Sequence, residues 1–76
     1  MDLIKQFEVD TYMVLNSTDP TDKYVELTLN NGLVVGYVVS NESAECVTVS
    51  DDELYQLSDR TIKMTLLNFA FCLTNV

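Results

Sequence analysis

The chain has 76 residues, with twelve acidic and four basic side chains, no histidine and a net charge of −8. A length this small makes one compact domain that buries only about 60–65% of the surface its unfolded form exposes, while an apolar content of 47% sets it apart from disordered acidic tails. The charge repels nucleic-acid phosphates and anionic membranes, so neither direct nucleic-acid binding nor membrane association is expected, and a charged partner should be basic.

From Ile4 to Leu15 the residues alternate, with Phe7, Val9, Met13 and Leu15 on one parity and Gln6, Glu8 and Asp10 on the other, which predicts a half-buried strand. Tyr12 and Val14 make its far end apolar on both faces, so that end is expected to be covered. The stretch Asn16-Ser17-Thr18-Asp19-Pro20-Thr21-Asp22 collects turn formers and the single proline of the chain and reads as a loop.

Lys23 to Ser40 reads as a hairpin, because Asn31-Gly32 between two β-rich runs is a preferred two-residue loop. That loop sets a register of Leu29 with Val34, Leu27 with Gly36 and Val25 with Val38. The opposite face then pairs Thr28 with Val35, Glu26 with Tyr37 and Tyr24 with Val39, too apolar to face water uncovered. Gly36 is a strand glycine of the kind that marks a bend, a bulge or a close approach.

Ala44 to Val49 predicts a further strand. Ser50-Asp51-Asp52-Glu53 carries a capping box, with Ser50 as N-cap, Glu53 at the third helical position and Val49 with Leu54 as hydrophobic staple. A helix near Asp51 to Ser58 is expected, with Leu54 and Leu57 facing inward. In the last segment, Thr61-Ile62-Lys63-Met64-Thr65-Leu66 is apolar at even positions and Leu67 to Thr74 bulky at odd ones. A strand with a β-bulge between Leu66 and Leu67 is preferred, and the rival is a helix with Ile62, Leu66, Phe69, Ala70 and Leu73 on one stripe. The expected fold is therefore mainly β within a small α+β class, about five strands in a curved antiparallel sheet or partly open barrel, with one short helix before the last strand.

Catalytic chemistry finds little footing. Histidine is absent, and Cys46 and Cys72 sit among apolar residues where reduced thiols act as core packers. Asp51, Asp52 and Glu53 point in different directions at a helix start and lack calcium-loop spacing, so no metal is expected. Gly32 and Gly36 do not form a phosphate loop, and no cofactor is implied. No run approaches the roughly 18 apolar residues of a membrane span, and Met1-Asp2-Leu3-Ile4-Lys5-Gln6 lacks the features of a signal peptide, which points to the cytoplasm.

The expected contact zone is acidic. Glu8 and Asp10, two apart on a strand, should share a face about 6.7 Å apart, and Asp51, Asp52, Glu53 and Asp59 form a second group around the short helix. Two possible apolar contact zones accompany them, one on the Tyr24, Val35, Tyr37 and Val39 face and one on the last segment at Phe69 and Phe71. An unprotected apolar strand is an aggregation hazard, which a homodimer would remove.

In size and charge the chain resembles the small acidic inhibitors that phages make against host defence or nucleic-acid enzymes. That resemblance implies a DNA-mimicking inhibitor that occupies a basic, nucleic-acid-binding surface of a partner protein in the host cytoplasm. Val25-Glu26-Leu27-Thr28-Leu29-Asn30-Asn31-Gly32 followed by Gly36 is similar to the first half of an Sm-like motif, which implies a small barrel assembling into rings. The basic second half of that motif is missing, and RNA binding is not carried over. The expected activity is a non-enzymatic protein-binding module, with a homo-oligomeric structural or assembly protein as the alternative.

Overall fold

A computed structural model describes residues 3–16 and 21–74. Ser17 to Pro20, the centre of the expected loop, lies outside the described residues, as do both ends of the chain. Strands β1 (Val9–Asn16), β2 (Lys23–Leu29), β3 (Val34–Val39) and β4 (Ala44–Val49) form one antiparallel sheet in the order β1-β2-β3-β4. A helical turn α1 (Leu3–Gln6) precedes them, and α2 (Asp52–Gln56) and α3 (Arg60–Thr74) follow. The class is α+β with an open four-stranded sheet; the fifth strand and the barrel are replaced by a helix laid across one face.

The expected last strand is α3, on the rival stripe: Ile62, Leu66 and Ala70 are its buried residues. Asp59 starts it, its Oδ1 accepting from the Ile62 amide at 2.8 Å. The balance between propensity and burial decides the outcome. Threonine, phenylalanine and asparagine cost a helix at most about 0.7 kcal/mol each, whereas burying a valine or leucine contributes about 1.5–3 kcal/mol. Val25, Leu27, Leu29, Val35, Tyr37 and Val39 of the sheet are all buried, and only a covering layer achieves that. A fifth strand would have lengthened the sheet and left this face wet.

The hairpin forms between the expected strands but in a register shifted by one residue. Leu27 faces Val35, Glu26 faces Gly36 and Val25 faces Tyr37. The cause lies in the turn. Gly32 donates its amide to Leu29 O at 2.9 Å and has φ +87°, and the Leu29 amide bonds Leu33 O at 2.8 Å. The loop is therefore Asn30, Asn31 and Gly32, a three-residue turn whose positive-φ position glycine fills. A one-residue slip moves a whole strand's side chains to the other face, so Val35, Tyr37 and Val39 line the core and Val34, Gly36 and Val38 the outer face.

The first strand starts later than expected. Its last pair is Val9 with Leu29, and β2 ends there, so residues upstream have no strand to pair with. They turn instead: the Asn31 amide bonds Gln6 O at 3.0 Å, the Asn30 amide bonds Glu8 O at 3.0 Å, and Asn30 Nδ2 bonds Lys5 O at 2.9 Å. This places Phe7 in the core. Asp10 is the extra residue of a bulge between Val9 and Thr11, so Val9 shares the core side with Tyr12 and Val14, while Met13 and Leu15 face outward, against the expected alternation.

Before α2 the cap is Asp51, whose Oδ1 accepts from the Leu54 amide at 3.1 Å, and not Ser50. Ser50 extends the sheet: its amide donates to Val34 O and its Oγ accepts from the Val34 amide, each at 2.9 Å. Leu54 packs against the core, but Leu57 is 62% exposed. Cys46 packs on the core side, whereas Cys72 is exposed on α3, and both thiols are free.

Candidate interaction surfaces

Three surfaces emerge from this arrangement. The first is acidic. Between Ser40 and Asp59 the chain carries six carboxylates, Glu42, Glu45, Asp51, Asp52, Glu53 and Asp59, and no basic residue; all six are exposed. Asp51 and Asp59 cap α2 and α3, and Asp52 and Glu53 occupy the first turn of α2, where negative charge offsets the helix dipole. These residues thus have a folding role and still present charge to solvent. Glu8 and Asp10 are exposed too, but Glu8 precedes β1 and Asp10 sits in the bulge, so the expected strand face linking them is absent. They lie at the opposite edge of the sheet from β4, three strand spacings or about 14 Å away. The two expected acidic groups do not merge.

The second surface is the outer face of the sheet, which no element covers among the described residues. Tyr24 lies flat across Gly36: its hydroxyl contacts Thr48 Oγ1 at 3.0 Å and donates to Glu26 Oε2 at 3.3 Å. A Cβ on Gly36 would sit 2.2 Å from that hydroxyl, so the glycine is there for a close approach, in this case of a side chain. Of the expected apolar contact face, Tyr24 alone lies on this side; Val35, Tyr37 and Val39 are buried beneath it.

The third surface is apolar. A groove of about 430 Å³ runs between α1, the start of β1 and α3, walled by Ile4, Phe7, Val9, Ile62, Leu66 and Phe69, with Glu8, Thr61 and Thr65 as its polar members. Phe69 meets Tyr12 edge to face, ring centroids 6.1 Å apart, an arrangement favoured by the ring quadrupoles. Beyond Tyr12 the strand stays open: Tyr12, Met13, Val14 and Leu15 are 57, 48, 40 and 47% exposed. The strand end expected to be covered, because Tyr12 and Val14 make it apolar on both faces, is exposed. Phe71, the other expected contact of the last segment, is half-buried against the core.

Sequence reasoning missed Ile4 and the β1 end as a surface. The signal was present in Tyr12-Met13-Val14-Leu15, four large apolar residues in succession, which no single-sided strand requires.

Inside, a small polar cluster joins β3, β4 and α2. Burial, with Cys46 and Tyr55 adding, pushes the Tyr37 phenol well above its usual value. Burial and then Cys46 push Tyr55 the same way, and Lys63 Nζ sits 4.7 Å over the Tyr55 ring. The Tyr37 hydroxyl is buried without a hydrogen-bond partner. Among the described residues no group of three or more acidic, cysteine or histidine side chains is arranged to hold a metal ion, and no helix is long and apolar enough to cross a membrane.

No known protein family, curated protein or solved structure matches this chain.

Proposed function

We propose that the chain is a non-enzymatic protein-binding module that presents the β4 and α2 side of the molecule to a basic surface on a partner protein. The observation that carries this reading is the run of six exposed carboxylates, uninterrupted by any base, from Glu42 to Asp59. A basic surface that normally holds nucleic acid is the finer form of the proposal, with inhibition as the consequence of occupying it in the cytoplasm of a host cell. Charge density bears on that form: −8 over the longest dimension of 39 Å is one charge per about 5 Å, against one per about 1.7 Å along a DNA duplex. Mimicry therefore rests on local clustering around α2, and the clustered Asp51, Asp52 and Glu53 supply it.

The test is capture of basic proteins on the immobilised chain at low and high ionic strength, with duplex DNA as competitor. Substituting Glu45→Gln, Asp52→Asn and Glu53→Gln together, which leaves both capping aspartates in place, is expected to abolish salt-sensitive capture. Capture that survives the triple substitution would show that the acidic side is not the contact.

A further inference from the structure

We propose that a second copy of this chain pairs with it through the free edge of β1, joining the two sheets into one antiparallel sheet of eight strands. This goes beyond the acidic-module reading and is independent of it, since it uses the opposite edge.

The backbone supplies the first argument. The Leu29 amide bonds Leu33 O, which makes these a hydrogen-bonded pair, and antiparallel alternation then follows strand by strand. In β2, Leu27 and Val25 bond toward β3, while Thr28, Glu26 and Tyr24 bond toward β1. Their partners Thr11, Met13 and Leu15 therefore bond inward. Tyr12 and Val14 are left with amides and carbonyls directed away from the sheet. An uninterrupted edge of this kind, apolar on both faces, is a template for another strand.

Charge supplies the second argument. Two copies at −8 each repel, so contact between them favours a surface free of carboxylates. Residues 11–16 contain none. A two-fold pairing must also match the outward groups of one copy to those of the other, which restricts the centre to few positions. Centring on Met13 pairs Tyr12 with Val14 and Thr11 with Leu15, uses the strand up to Asn16, and does not cross the bulge into Val9. It also brings Asp10, the only charge of the strand, to Asn16 of the second copy, beside Lys23, which already bonds Asn16 Oδ1 at 2.5 Å. Like charges do not meet anywhere along the ladder.

Side chains complete the fit. A two-fold axis normal to the sheet keeps both helical layers on one side. Val14 of the second copy then lies against Tyr12, next to the Phe69 end of the apolar groove, and the two Met13 side chains meet on the outer face. The four residues left open in one copy cover one another in two.

Three measurements test this on the full chain. Sedimentation at micromolar concentration should give twice 8.6 kDa; a monomer there overturns the proposal. Amide exchange reads the edge directly and needs no variant: Tyr12 and Val14 amides should exchange on the order of a hundredfold slower in the concentrated sample than after dilution, and free exchange at both concentrations overturns it. Register is read by oxidation in a chain carrying Cys46→Ala and Cys72→Ser. Met13→Cys should give a disulfide-linked dimer, since a central non-hydrogen-bonded pair brings Cα atoms to about 4.5 Å. Thr11→Cys alone should not, its two copies being about 13 Å apart along the ladder, whereas a mixture of Thr11→Cys and Leu15→Cys chains should link. Equal linking by Thr11→Cys alone overturns the register.

Discussion

β1 and β4 are the two edges of one sheet, yet they meet solvent differently. β4 carries an extra residue, Val47, that breaks its register against β3, bears Glu45 on its outer side, and is followed by α2, whose Leu54 and Tyr55 pack on the core. Bulge, charge and cover are the devices by which edge strands avoid other strands. β1 has a bulge only at its start and runs uncharged thereafter, with no element covering it among the described residues. One edge is bulged midway and acidic; the other is regular beyond its start and apolar. The lesson is that net charge describes neither edge, and that the two proposed contacts place different partners on different edges.

The largest way to break this contrast is Leu66→Ala. Leu66 is buried at the centre of α3, and its truncation should cost about 3 kcal/mol in denaturant unfolding. Next, Asp59→Ala should cost about 1 kcal/mol by removing the α3 cap, whereas Asp59→Asn should cost almost nothing; equal losses would mean that charge, and not the cap, holds this helix start.

A smaller effect concerns Tyr37. Its buried hydroxyl has no partner, so Tyr37→Phe should be neutral or stabilising by up to about 1 kcal/mol. The sign of its pH dependence follows from its raised pKa. Above pH of about 10 the unfolded phenol loses its proton while the native one keeps it, so the native state binds more protons and stability falls as pH rises. Tyr37→Phe should flatten that alkaline decline in part, Tyr55 supplying the remainder. The smallest effect is the sharpest comparison: Val47→Lys, at a residue 50% exposed on the β4 edge, should leave stability within about 0.5 kcal/mol and the sedimentation mass unchanged, whereas Val14→Lys should give a folded monomer.

Much of this was readable beforehand. Ala44 to Val49 is β4 with the expected limits, and Asn31-Gly32 marked the hairpin correctly. What failed was what neighbours decide. Gly32 alone cannot say whether Asn30 joins the loop, and that one residue moved Val35, Tyr37 and Val39 from a proposed contact face into the core. Thr61 to Thr74 carried both periodicities, and the need to cover the sheet chose between them. Ser50 and Asp51 are both good caps, and Ser50 was already bonded to Val34. The acidic residues were legible as exposed, but their separation onto two edges was not, because Asp10 lies in a bulge that no local pattern announces.

The four tyrosines occupy four distinct settings: Tyr12 on the open edge, Tyr24 across Gly36, Tyr37 in the interior and Tyr55 beneath Lys63. With no tryptophan in the chain, nothing quenches their ultraviolet emission by energy transfer to an indole. Single replacements by phenylalanine would therefore turn the unlabelled molecule into a set of optical probes, each reporting on one zone of it.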